Sequence, residues 1–64
     1  MWAEVRQAPN LMLAEMWKEL FEGEGIPTQI LPVNGGAPNR ELVAYRILVP
    51  KDRQHLIQEI LRKV

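Results

Sequence analysis

Residues 26–50 read IPTQILPV, then NGGAPNR, then ELVAYRILVP, and the order of these three blocks decides the fold. From Ile26 to Val33 the chain is aliphatic and β-branched, with Pro27 and Pro32 near its ends. A proline lacks the N–H that a ladder needs, so this strand belongs at the edge of a sheet. Leu42 to Val49 is the most strand-like stretch of the chain, and Pro50 ends it. The turn formers Asn34, Gly35, Gly36, Ala37, Pro38 and Asn39 lie between the two runs and predict a hairpin.

Upstream, Trp2 to Gln7 alternates as a short strand, with Ala3 and Val5 facing one way and Trp2, Glu4 and Arg6 the other. Pro9 stops it and Asn10 is a good N-cap. Leu13, Ala14, Trp17, Leu20 and Phe21 then recur at helical spacing until Gly23 and Gly25. Downstream, after Lys51 and Asp52, the residues Leu56, Ile57, Ile60, Leu61 and Val64 share one helical stripe, with Arg62 and Lys63 favouring the dipole of the last turn.

The element order is therefore βαββα, within one domain spanning residues 1–64. A right-handed crossover between the first two strands leaves a gap that the third strand fills antiparallel to both. This predicts an α+β fold: a ferredoxin-like split βαβ core lacking the fourth strand, sheet order 1-3-2, with two helices on one face and the first strand at an open edge. One register serves both strand pairs. It sets Glu4 opposite Arg46, Trp2 opposite Leu48 and Arg6 opposite Ala44, and on the other side Gln29 beside Arg46, Pro27 beside Leu48, Leu31 beside Ala44 and Val33 beside Leu42. Ala3, Val5, Ile26, Ile30, Val43, Tyr45, Ile47 and Val49 then form the core beneath the helices. The helix-free face carries a polar row of Glu4, Arg46 and Gln29 between apolar groups of Trp2, Leu31, Val33, Leu42 and Leu48. That face should not stay bare.

Apolar residues make up 47% of the chain and charged ones 25%, the composition of a folded domain and not of a disordered segment. A chain of 64 residues buries only about 60% of the surface its unfolded form exposes. Its own core offsets the ordering entropy narrowly, so association with a copy or a partner would help. Cysteine is absent, which excludes disulfides, thiolate metal sites and a cysteine nucleophile. With no apolar run of membrane-spanning length and no basic segment leading into an apolar one, the expectation is a cytoplasmic protein without a membrane association.

Eight Lys and Arg balance eight Asp and Glu, so the strong positive field of nucleic-acid binders is missing. The halves differ: Glu4, Glu15, Glu19, Glu22 and Glu24 outweigh Arg6 and Lys18 up to residue 25, whereas Arg40, Arg46, Lys51, Arg53, Arg62 and Lys63 outweigh Glu41, Asp52 and Glu59 from residue 40 onward. This reads first as an acidic helix beside a basic one, and second as a bipolar surface that orients a partner.

The segment AEMWKELFEGEGI at residues 14–26, followed by Pro27 and later by ILVP at residues 47–50, carries a family likeness. With APN at residues 8–10 before the helix and a glycine-containing loop after the EGIP turn, it resembles a small bacterial domain-of-unknown-function family described as prokaryotic signal-transducing proteins, with a ferredoxin-like, nitrogen-regulatory-protein-like core. The resemblance covers nearly the whole chain. It implies a sensing or interaction role and supplies no catalytic residues. Some members of that family carry a cysteine-rich metal segment, which this chain lacks.

Chemistry-bearing residues are sparse. His55 is the single histidine, so a two-imidazole site or a relay is unavailable, and it reads as an exposed residue of the last helix. Asp52 and Glu59 are about two helical turns apart, too far for paired acid/base work. The chain has no serine, its one threonine, Thr28, faces the expected core, and Tyr45 reads as core too. In the hairpin connection, Gly35 and Gly36 offer backbone N–H groups and Arg40 a cation beside Asn34. That loop is either a plain connection or, by analogy with the nitrogen-regulatory signal proteins, a contact segment. Trp17 reads as core; Trp2, on the open face beside Leu48, reads as a binding anchor or as local cover over the sheet end.

Three functions compete. The leading one is a non-enzymatic binding or signal-transducing module that self-associates or docks a protein partner through its open sheet face and first-strand edge, with a small ligand as a further occupant. Its partner-binding residues would be Trp2, Glu4, Leu31, Val33, Arg46 and Leu48. The alternative is single-stranded RNA binding on that face, which asks for two or three stacking aromatics where this chain offers only Trp2. An acylphosphatase-like enzyme is the third, without a convergent Arg and Asn pair to support it. No cofactor or metal is expected.

Overall fold

The computed structural model describes residues 1–33 and 43–63. It contains β1 (Trp2–Ala8), α1 (Leu11–Gly23), β2 (Gln29–Pro32), β3 (Tyr45–Pro50) and α2 (Gln54–Lys63), with a 3-10 turn, Lys51–Arg53, leading into α2. Three antiparallel-paired strands form one sheet in the order β1-β3-β2. This is the split βαβ arrangement expected from the block order of residues 26–50. Strand β2 is shorter than the aliphatic run containing it, starting at Gln29 instead of Ile26. Strand β3 starts at Tyr45, and the Leu42 at which the expected strand began lies outside the described residues, as do Asn34, Gly35, Gly36 and Arg40.

Local chemistry fixes both ends of α1. The Asn10 side chain accepts a hydrogen bond from the Leu13 N–H at 2.9 Å, satisfying a donor that a helix start leaves orphaned. At the other end Gly25 takes φ of 86°, Gly25 N donates to the Glu22 carbonyl at 2.9 Å and Ile26 N to the Phe21 carbonyl at 3.0 Å. These two bonds form a Schellman motif, in which the left-handed residue is normally glycine. Ile26 and Phe21, at its two ends, are both buried, so the stop signal also delivers the chain into the core. Thr28 follows, 6% exposed, its hydroxyl donating to the Ile26 carbonyl at 3.0 Å.

Tyr45, Ile47 and Val49 of β3 pack with Ala8 of β1, Ala14 and Phe21 of α1, Ile26, and Ile57 and Ile60 of α2 in one cluster. Because a single cluster holds the inward side of the central strand and the buried residues of both helices, the helices lie on one face of the sheet. Val5, Ile30 and Val43 are half-buried against this cluster as the alternation requires, and Ala3 is half-buried. Trp17 is also only partly buried and lies at the margin of the cluster.

The register differs from the expected one by two residues on both sides of β3. Glu4 lies opposite Leu48, not Arg46, and Trp2 lies opposite Pro50, not Leu48. Likewise Gln29 faces Leu48, not Arg46, and Leu31 faces Arg46, not Ala44. Val33 is linked to Ala44, its N–H donating to the Ala44 carbonyl at 2.9 Å, while its expected neighbour Leu42 lies outside the described residues. A slide of two residues leaves every side chain on its original face, so hydrophobic alternation cannot distinguish the two registers.

A second difference changes a face. The β1–β3 register shifts between Glu4 and Arg6, a β-bulge that gives Val5 no partner. Arg6 therefore lies opposite the inward-facing Ile47, not Ala44, and belongs to the helix side of the sheet. Its guanidinium carbon sits 4.2 Å from the centre of the Trp17 ring, and that ring stacks on Phe21 at 5.9 Å with 28° between planes. The cation caps the aromatic pair at the border of the core. Without the bulge Gln7 would be the residue driven under the helices.

Candidate interaction face

The outward residues of the three strands fall into rows set by the register. Trp2 and Pro50 form the first, Glu4, Leu48 and Gln29 the second, and Gln7, Arg46 and Leu31 the third. Trp2 and Leu31, each 42% exposed, stand at opposite corners of this array. Leu48 is 7% exposed. It occupies the central strand with Glu4 and Gln29 directly beside it and Trp2 and Leu31 on its diagonals, so it forms a floor and not a protrusion. Val33 lies half-buried just beyond β2.

To one side of the line joining these two apolar corners lies a polar cluster. Arg46 Nε donates to Glu4 Oε1 at 2.6 Å, and Gln7 Nε2 donates to Glu4 Oε2 at 3.1 Å. The bond to Arg46 first and the bond to Gln7 second hold the Glu4 carboxyl below its ordinary value. The ion pair expected from charge complementarity thus forms, along a diagonal of the sheet and not across it. Gln7 was not foreseen here. The signal for it was that strict alternation from Trp2 would bury a glutamine amide beneath the helices.

Arg46 spends Nε on this bond, and among the described residues its two terminal nitrogens have no hydrogen-bond partner. The face can accordingly offer a guanidinium edge, a carboxylate and two apolar corners to an incoming surface. Its edge is less inviting. Strand β1 lies at the border of the sheet, but its bulge and its charged residues are devices that blunt an edge against further strands.

Other surfaces offer less. A groove of about 250 Å³ runs between β1 and α2, lined by Glu4, Val5, Gln54, Ile57, Gln58 and Leu61. A second hollow lies among Glu15, Lys18, Glu19 and Glu22 and is formed by side chains standing off one helix. His55, Asp52 and Glu59 are exposed, and among the described residues no group of three or more His, Asp or Glu side chains is placed to hold a metal ion. Tyr45 is 1% exposed, as its reading as core requires. No described helix is long and apolar enough to cross a membrane. The Arg53 guanidinium donates to the Gly25 carbonyl at 3.0 Å, tying the turn before α2 to the end of α1. No protein family, curated protein or solved structure matches the chain.

Proposed function

We propose that the chain is a small non-enzymatic binding module, of the signal-transducing kind that its sequence resembles, and that its helix-free sheet face is the working surface. The observation that carries this reading is the pairing of exposed Trp2 and Leu31 at opposite corners of a face that holds the Glu4–Arg46 pair to one side of its central Leu48. Exposed apolar anchors beside polar groups supply what an apolar interface core and its polar rim need, and tryptophan and arginine are among the residues enriched at binding hot spots. The bulge in β1 favours the sheet face over the strand edge as the point of contact. The RNA reading gains nothing from the geometry, since Tyr45, the aromatic residue of the central strand, lies beneath the helices.

The test is nuclear magnetic resonance on isotope-labelled protein, at rising concentration in buffer and in unlabelled lysate of the source organism. The Trp2 indole and Leu31 methyl signals should shift or broaden in at least one series while those of Met12 and Met16, exposed on α1, stay sharp. Unchanged Trp2 and Leu31 signals in both series contradict the reading.

A further inference from the structure

The outward face has a property that goes beyond its composition, and using it rests on the reading of that face as the working surface. In a sheet with strands about 4.8 Å apart and same-face residues about 6.8 Å apart, Glu4 to Arg46 and Trp2 to Leu31 are parallel diagonals. The first spans one strand and one row, the second two strands and two rows. The perpendicular line that bisects the longer diagonal passes through Leu48, and the one that bisects the shorter lies within about 2 Å of it. A twofold axis laid along that line, between two facing sheets, exchanges the ends of both diagonals at once.

We infer that the occupant of this face is a second copy of the chain, packed sheet to sheet about that diagonal axis. Trp2 of each copy then rests on Leu31 of the other, Glu4 meets Arg46 of the other, and the axis passes over the two Leu48 positions, each beneath the side chains that cover it. The geometry is isologous and closed, so it makes a dimer and not a filament. The strands of the two sheets cross at about 70°, nearer the orthogonal class of sheet packing than the aligned one.

Charge selects this axis over the simplest alternative. An axis along β3 would stack each Arg46 on its own copy, and like charges brought together oppose association. About the diagonal axis the two Glu4 and two Arg46 side chains close a ring of four alternating charges. Each Arg46 keeps its Nε bond within its own chain and turns its terminal nitrogens to the carboxylate opposite.

Sedimentation equilibrium of charge-swapped chains tests the pairing. The wild type should dimerise; Glu4→Arg and Arg46→Glu should each weaken dimerisation at least about tenfold, since each sets like charges against each other across the axis. A one-to-one mixture should restore association, because the Glu4→Arg chain carries two cations at these positions and the Arg46→Glu chain two anions. Far-UV circular dichroism checks that each folds. If either does not, Trp2→Lys and Leu31→Glu, both at exposed positions, give the same readout, with the mixture pairing more tightly than either chain alone. A mixture no tighter than its components overturns the inference, and so does a monomeric wild type. A monomeric wild type whose Trp2 and Leu31 signals still broaden in lysate ends self-pairing and leaves the binding reading intact, whereas silence in both experiments ends both.

Discussion

Glu4 and Arg46 are bonded at 2.6 Å although neither is the other's cross-strand partner: Glu4 faces Leu48 and Arg46 faces Gln7. The bulge at Val5 makes this compatible with a third contact. By advancing β1 one residue it brings Gln7 onto the outward face, where its amide donates to the free oxygen of the same carboxylate. One inserted residue thus completes a polar cluster on one side of the sheet and sends Arg6 to stack on Trp17 on the other.

The cluster predicts a pH dependence. Glu4 titrates below its ordinary value when folded, so the stability it lends is present above the unfolded value of about 4.3 and is lost as pH falls through the lower folded value. Arg46→Gln should raise the Glu4 carboxyl toward its ordinary value, read from its side-chain carbon shift, and Gln7→Ala should raise it less. Equal values in all three chains contradict the assignment.

Arg6 makes a prediction that strict alternation would not. If it lay on the outward face, Arg6→Ala would leave Trp17 untouched. With its guanidinium over the ring, the substitution should cost about 0.5–1 kcal/mol in urea unfolding and shift the Trp17 fluorescence.

Inside and outside are separable by a matched pair of substitutions. Ile47, fully buried in the core cluster, should lose about 2–5 kcal/mol on truncation to alanine, enough to unfold much of so small a domain. Leu31→Ala, at an exposed position, should leave the fold intact. Thermal melts followed by circular dichroism give both values, and the reverse order would contradict the face assignment.

At the end of α1, Gly25→Ala should cost about 1–2 kcal/mol, wholly from the positive φ, because an added Cβ there meets nothing within 4 Å. A much larger loss would mean that the turn is crowded as well as left-handed.

Most of the architecture was legible because its signals are local: Pro9 and Asn10 before α1, Gly25 after it, and prolines bounding the strands around residues 26–50. The inward set of Tyr45, Ile47 and Val49 followed from alternation alone. Register was not legible, because a two-residue slide conserves every face and a diagonal still lets Glu4 reach Arg46. The bulge was not read either, since it depends on a cost summed over the strand: Gln7 buried against Arg6 exposed. Nor could spacing foretell that Leu48, an outward residue, would be closed over by its neighbours on both sides.

The central claim is that Trp2 and Leu31 work as contact residues and not as fold residues. Dimer dissociation constants measured for Trp2→Ser, Leu31→Ser, Met12→Ser and Met16→Ser at matched thermal stability test it most directly. Loss of association in the first two and wild-type association in the last two is the predicted result. Equal association in all four, or loss confined to the α1 methionines, would place the contact surface elsewhere and contradict the account.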